Sequence, residues 1–526
     1  MFGHQSRRRG RRTAVLMGAV AALTAATLPV QTSSAEARPP AYRDASLPVS
    51  QRVDDLLDRM TIDEKVGQMT QAERGDVAAD PSLVTTWKLG SVLSGGGSVP
   101  ADNTPSGWAD MVDSLQARAL ATRLGIPLLY GVDSVHGHGN LYGATVFPHN
   151  IGLGATRDPK LVERIGHITA EETRATGPQW SFSPCVCVAR DDRWGRTYES
   201  FGEDPALVVR METVIDGLQG DPGELGNADH VLATAKHYAG DGLTSYDESL
   251  AGTGAYPIDQ GIDKVDHETF ARLALTPYPA AIQQHHVGSV MPSFSSIDWT
   301  EDGLGSPIKM HANGELINGV LKGDMGFDGF VISDWQGIRQ IPGDYATQVK
   351  TSVNAGVDMF MEPYSGSPVG APDFEATLTG LVQSGDVPMS RIDDAVSRIL
   401  TAKFELGLFE HPYTDRSNLD EIGSPAHRAV ARRAVAESQV LLKNAGRTLP
   451  LAPGQRVYVA GSNADNIGNQ AGGWTLTWQG GSTNVIPGDT ILDGIKASSS
   501  KVTFSEDASA PIAPRSVGVV VVGETP

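Results

Sequence analysis

The chain has 526 residues, too many for one ordinary hydrophobic core, so two or three folded units are expected. Hydrophobic residues at 40% and charged residues at 20% place it far from the composition of disordered chains. With 62 acidic against 42 basic residues the net charge is -20, which repels phosphate backbones and anionic lipid and excludes nucleic acid as an expected partner.

At the N-terminus Arg7, Arg8, Arg9, Arg11 and Arg12 precede an apolar run over residues 14–28, and Ala35-Glu36-Ala37 offers a small-x-small cleavage site. Residues 1–37 therefore read as an export signal and are set aside from the fold. The run holds about 15 residues, short of the ~20 a spanning helix needs, so no membrane association is expected after cleavage. The expected location is extracellular or periplasmic, with Arg11-Arg12 compatible with the twin-arginine route.

Residues 53–60 show helical apolar spacing, and Thr61-Ile62-Asp63-Glu64 is a capping-box start for a second helix. From there to about residue 412, apolar runs at 126–130, 231–235, 287–291, 330–332 and 357–361 are separated by helix-length connections. Such runs predict a parallel sheet covered on both faces, and their number favours a (β/α)8-type barrel over residues 38–412. Polar residues gather after the runs: Gly131-Val132-Asp133, Lys236-His237, Phe294 and Ser333-Asp334-Trp335. In barrels this end of the strands carries the site, because the loops converge there on a rigid support. A helix with Ile392, Ala395, Val396, Ile399 and Leu400 on one face closes the unit.

Cys185 and Cys187 are the only cysteines, and on an apparent strand they share a face. Their Cβ atoms would then lie ~6–7 Å apart, beyond the ~3.5–4.5 Å a disulfide spans, so no disulfide is expected. They read as small buried hydrophobes that cannot close a metal site alone. Residues 410–427, rich in Pro, Asp, Ser and Gly, mark the interdomain connection, with 413–428 as the linker. A second α/β unit, a sandwich over residues 429–526, follows with an amphipathic helix at 429–442 and strands at 457–460, 502–504 and 517–522. It reads as incomplete, with an apolar last strand expected to be central rather than at an edge.

A carboxylate directly after the buried run 330–333 is costly unless used or paired, which makes Asp334 the strongest nucleophile candidate. Trp335 beside it adds a flat apolar face. Sugars stack C–H faces on indole and offer hydroxyls to charged groups, so Asp, Arg, Lys and His converging beside Trp suggest a saccharide pocket. The alternative from placement alone is a salt-bridge network at a barrel end.

Six segments carry a resemblance: Met60-Thr61-Ile62-Asp63-Glu64-Lys65, Gly131-Val132-Asp133-Ser134-Val135-His136-Gly137, Asp192-Arg193-Trp194-Gly195-Arg196-Thr197-Tyr198-Glu199-Ser200, Ala235-Lys236-His237-Tyr238, Val331-Ile332-Ser333-Asp334-Trp335 and Leu441-Leu442-Lys443-Asn444. In this order they resemble the two-domain β-glucosidase and β-glucan exohydrolase branch of glycoside hydrolase family 3. The exohydrolase group also shows a tryptophan loop like that of residues 472–480. The resemblance implies an exo-acting retaining enzyme that releases terminal glucose from β-glucan or β-gluco-oligosaccharide through a covalent glycosyl-enzyme on Asp334. It implies Asp133, Arg196, Lys236 and His237 as ligands of the sugar hydroxyls, Trp335 and Trp478 as stacking faces, and Met291 as a further pocket position. These side chains suit those roles as acceptors and multiple donors. Phe294 departs from the family, which often has Tyr there, so a hydroxyl contact to the nucleophile is lost.

Retaining hydrolysis needs a second carboxyl ~5–5.5 Å from the first. The family's pattern is Val-Gly-Glu-x-Pro, an aromatic, a small residue and then the catalytic Glu. Val522-Gly523-Glu524-Thr525-Pro526 supplies its start, so Glu524 is not expected to be the acid/base, which is expected just beyond the chain end. Alternatives are a β-xylosidase of the same family and a non-catalytic secreted sugar-binding protein, for which Asp334 would be unnecessary. An oxidoreductase is disfavoured because Gly461-Ser462-Asn463 lacks the three-glycine spacing. His136-Gly137-His138 has no third ligand nearby at a recognisable spacing, so neither metal nor other cofactor is expected. Lys236-His237-Tyr238-Ala239-Gly240-Asp241-Gly242 resembles the exohydrolase version of its loop rather than the His-rich hexosaminidase one.

Overall fold

A computed structural model describes residues 40–364 and 367–525, so the expected export signal lies outside the described residues. The first helix runs over Val49–Arg59, and the capping box at Thr61 is present: its hydroxyl accepts from Glu64 N at 3.3 Å, and Glu64 accepts from Thr61 N at 2.9 Å.

Eight parallel strands follow in two sheets: β1 (Thr70–Glu73), β2 (Ser91–Ser94), β3 (Leu129–Val132), β4 (Trp180–Ser181), β5 (Thr234–Tyr238), β6 (Ser289–Pro292), β7 (Phe330–Val331) and β8 (Phe360–Met361). The first sheet runs β8-β1-β2-β3-β4 and the second β7-β6-β5. Parallel bridges Trp180–Leu232 and Ile332–Met359 join the two sheets at both sides, so the strands close into a barrel in chain order. The expected (β/α)8-type barrel is what forms. The helix Met389–Glu405 covers it with Ile392, Ala395, Val396, Ile399 and Leu400 fully buried.

The sequence reading found five of these strands and missed β1, β2 and β4. The reason lies in their polar residues, which normally signal loops. Here Gln71 donates to Ser91 Oγ (2.7 Å), Ser91 Oγ to Leu129 O (2.7 Å), and the Trp180 indole to Thr234 Oγ1 (2.8 Å). Buried polar groups are tolerated once each has its partner, and the barrel interior supplies them. The run expected at 231–235 is also shifted: Lys236 and His237 lie within β5 rather than after it.

Cys185 and Cys187 are joined in a disulfide, which corrects the expectation of none. The segment is not an extended strand but follows the short β4 irregularly, bringing the two Cα atoms to 5.3 Å. Both cysteines are buried with Ala189, Trp194 and Ile258.

Within the connecting region Thr414 N and Oγ1 both donate to Asp113 Oδ1 (2.8 and 2.7 Å), and Arg416 pairs with Asp110 and Asp113. The helix expected at 429–442 runs instead over Pro425–Glu437, with Ser424 as N-cap and Pro425 in its first turn, and leaves Leu441 and Leu442 exposed. The last three described strands, β9 (Arg456–Ala460), β10 (Val502–Phe504) and β11 (Ser516–Val520), form a parallel sheet in the order β10-β9-β11. The central strand is therefore β9, and β11, expected to be central, stands at an edge of the described sheet. Its side chains alternate between half-buried and exposed, against the fully buried Val459 of β9.

Candidate active site

A cavity of about 660 Å³ lies at the carboxyl ends of the barrel strands, and Asp133, Arg196, Lys236, His237, Met291, Asp334, Trp335 and Trp478 all line it. Every residue expected at the site is thus brought to one place, from positions more than 340 residues apart in the chain.

Asp334 follows β7 in a turn that backbone contacts hold from several sides. Ser333 N donates to Met359 O, Gln336 N to Met361 O and Gly337 N to Asp334 O. Gln336 takes a left-handed conformation (φ 52°), which turns the chain back over the cavity. The Asp334 amide donates to Nε2 of His311 at 3.0 Å. Burial pushes His311 down to about 4, so its ring is a neutral acceptor above that range. One carboxylate oxygen, Oδ1, accepts from Trp335 N at 2.5 Å, while Oδ2 stands 3.6 Å from His237 Nε2. The carboxylate is therefore fixed by one oxygen and open to the cavity through the other, as a nucleophile must be.

Opposite it, Lys236 from β5 pairs with Asp133 at the end of β3 (Nζ–Oδ1 3.1 Å). Burial raises the Asp133 carboxyl above its ordinary value, opposed by the Lys236 ammonium. His237 Nδ1 pairs with the buried Asp241, and its Nε2 lies 3.3 Å from Arg196 Nη2. Burial alone would raise Asp241, but His237 outweighs it and holds the carboxyl below its usual range.

Arg196 is held by a fully buried Glu199 one helical turn on, Nε to Oε1 at 2.8 Å and Nη2 to Oε2 at 3.0 Å. Burial would raise Glu199, yet the two-point contact with Arg196 keeps it far below the carboxylate range. Glu199 Oε1 also accepts from the Trp474 indole N–H at 3.0 Å. The loop at residues 472–480 thereby enters the barrel mouth. It is fixed there by Leu476 N to Gly139 O (2.8 Å), His136 Nε2 to Trp474 O (3.2 Å) and His149 Nε2 to Gly473 O (3.0 Å). A Cβ on Gly95 would lie 3.1 Å from the Trp335 ring, and one on Gly96 would lie 2.6 Å from the Trp478 backbone. These two glycines let both indoles close on the cavity. Phe294 lines it too, its ring 6.0 Å from that of His311.

The model of the "Glycosyl hydrolase family 3 N terminal domain" matches residues 61–402, more than half the chain. The chain belongs to glycosyl hydrolase family 3. The family's C-terminal domain matches residues 439–526. A lysosomal beta glucosidase of Dictyostelium discoideum is 32% identical over 84% of this chain, which spans 55% of that protein's length. A periplasmic beta-glucosidase/beta-xylosidase of Dickeya chrysanthemi is 30% identical over 81% of this chain and 69% of its own. Among solved structures, an exo-1,3/1,4-beta-glucanase from a Pseudoalteromonas species superposes with a TM-score of 0.81 at 38% identity, covering 91% of this chain and 59% of that one. A beta-glucosidase from Listeria innocua in complex with glucose gives 0.75 at 28% identity, covering 90% and 64%.

Sequence reasoning did not single out Glu199, Asp241, His311, Asp259 or Trp474. Glu199 was within reach, three residues after Arg196, and Asp241 four after His237. His311 carries no local signal, since it meets Asp334 only through the fold. Asp259 lines the cavity with its Oδ1 on the Trp194 indole (2.8 Å), and burial raises it against the pull of Arg196. The His136-Gly137-His138 pair is dispersed: His136 contacts the Phe147 and Trp474 carbonyls, and His138 packs edge-on against Trp108 at 5.0 Å. Cys185, His237 and Asp241 bring ligand-type atoms close together, but the Cys185 sulfur is bonded to Cys187 and His237 is committed to Asp241.

Proposed function

We propose that this family 3 glycosidase releases terminal glucose from β-glucans and β-gluco-oligosaccharides with retention, Asp334 forming the glycosyl-enzyme. The carrying observation is the carboxylate of Asp334, anchored through Oδ1 and open through Oδ2, in a cavity lined by donors, acceptors and two indoles. Asp133, Arg196, Lys236 and His237 take the hydroxyls of the terminal ring, Met291 fills the pocket beside it, and Trp335 and Trp478 stack on the sugars. The cavity's other carboxylates have partners of their own: Asp133 on Lys236, Asp259 on Trp194, and Glu73 on the Gly75 amide. Glu524 is exposed and away from the cavity lining. The resemblance assigns the acid/base to a residue other than Glu524. A β-xylosidase is the second reading, favoured by the combined name of the Dickeya relative. Export to the periplasm or the exterior is proposed from residues 1–37, in keeping with a periplasmic beta-glucosidase of Salmonella typhimurium among the relatives.

A dinitrophenyl 2-fluoroglucoside tests the assignment, because its leaving group departs without a general acid and the fluorine slows release of the trapped sugar. Peptide mapping should recover the label on Asp334, and Asp334→Asn should take none. A label on another carboxylate would overturn the mechanism. Aryl β-glucosides and β-xylosides compared on the same protein decide the sugar.

A further inference from the structure

At the opposite end of the barrel from the cavity, just ahead of β5, three side chains meet that the sugar chemistry does not use. His167 projects from the helix Pro159–Ala175, and Asp229 and His230 lie in the loop that enters β5. One ligand-type atom of each lies within 4.8 Å of the other two. The geometry points to a binding site for a divalent transition metal ion on His167, Asp229 and His230.

The ring of His230 is oriented as a ligand. Its Nδ1 lies 3.1 Å from the Glu224 carbonyl, a partner that requires the proton on Nδ1 and leaves the Nε2 lone pair unprotonated. The ring also packs closely against Gly220. A Cβ at residue 220 would come within 2.5 Å of His230 Cε1, and Gly220, at φ 72°, leaves that space. The His167 ring faces it at 5.7 Å between centroids and 61° between planes, and makes no hydrogen bond of its own among the described residues. Asp229 Oδ1 lies 3.6 Å from His230 Nδ1 and makes no hydrogen bond among the described residues. Two half-buried or buried imidazoles and a carboxylate, all with unused lone pairs, form a partly assembled coordination sphere. Of the neighbouring charges Asp229 and Glu171 favour a cation and Arg164 opposes it.

The donor set selects the metal. Two imidazole nitrogens and one carboxylate oxygen suit Zn²⁺, Co²⁺, Ni²⁺ or Cu²⁺, whereas Ca²⁺ and Mg²⁺ take all-oxygen sets. Asp229 is 40% exposed, so water completes the sphere. The site ties the Pro159–Ala175 helix to the loop before β5, so bound metal stabilises the barrel by mass action without touching the sugar cavity.

The test uses the 526-residue chain stripped with EDTA, with Zn²⁺ followed by calorimetry and thermal unfolding and Co²⁺ by its visible absorption. One equivalent should bind with an affinity on the order of micromolar and raise the melting temperature, with Ca²⁺ giving no shift. His167→Gln and His230→Gln should each weaken binding tenfold or more and lose the shift. Circular dichroism of the metal-free variants should match the parent, separating loss of a ligand from loss of fold; if one variant fails to fold, Asp229→Asn takes its place. Absence of saturable binding at millimolar Zn²⁺, or equal binding by folded variants, would overturn the site.

Discussion

Replacing Glu199 with Gln keeps the shape of the side chain and removes its charge at the point where the barrel and the tryptophan loop meet. Glu199 is fully buried and Arg196 is 17% exposed. Removing one partner of a buried ion pair costs about 3–5 kcal/mol, because the other charge is left uncompensated. Arg196 keeps some contact with the open cavity and the attraction of Asp241 and Asp259, so the lower end, about 3 kcal/mol, applies. The Trp474 N–H shares Oε1 with Arg196 Nε, so its loss, about 1 kcal/mol, is coupled to the first and does not simply add. An Arg196 displaced to the same extent would bind the sugar about 10²-fold more weakly, at 1.4 kcal/mol per tenfold. Urea unfolding gives the stability change, and quenching of tryptophan fluorescence by glucose gives the affinity. Trp474→Phe separates the two contacts: it removes the indole donor and part of the buried ring, while Glu199 keeps both contacts to Arg196. Unchanged stability and glucose affinity in Glu199→Gln would refute the view that this carboxylate sets the position of Arg196.

In the role proposed for it Asp133 accepts sugar hydroxyls as a carboxylate, and burial raises it above its ordinary value; the acid limb of kcat/KM should therefore fall at a higher pH than for a free Asp, and a limb at the ordinary carboxylate value would contradict this. His427 is raised above 6.5, first by its hydrogen bond to the buried Glu172 (2.8 Å), so its charged form stabilises the fold. That contribution is fully present below about pH 6.5 and is lost as pH rises through the folded-state value. Urea midpoints compared at about pH 6 and about pH 9 should show it in the parent, and His427→Gln should flatten it. The Cys185–Cys187 link should leave no thiol to alkylate in denatured, unreduced protein, and its reduction should cost only roughly 1.5 kcal/mol because the loop it closes is so short.

The barrel was legible in the sequence because short apolar runs spaced by helix-length connections admit few other architectures, and the position of Asp133 and Asp334 after such runs marked the end of the barrel where polar residues gather. Strands β1, β2 and β4 were not legible, since Gln71, Ser91 and Ser94 look like loop residues until the closed barrel gives each a partner. The cysteine pair departs from strand spacing for a related reason: the chain after β4 is irregular, and only the folded path decides a Cα separation of 5.3 Å. The residues around Asp334 divide along the same line. By itself the sequence determined which side chains carry charge, flat aromatic faces and carboxylate oxygens, because those are properties of residue types. Only the tertiary structure decided that His311 would hold the amide of Asp334, that Glu199 would hold Arg196 and Trp474 together, and that Gly95 and Gly96 would admit two indoles. Apart from the Arg196–Glu199 pair, three residues apart, those contacts join residues tens to hundreds of positions apart, and nothing local in the chain encodes which distant surfaces will meet.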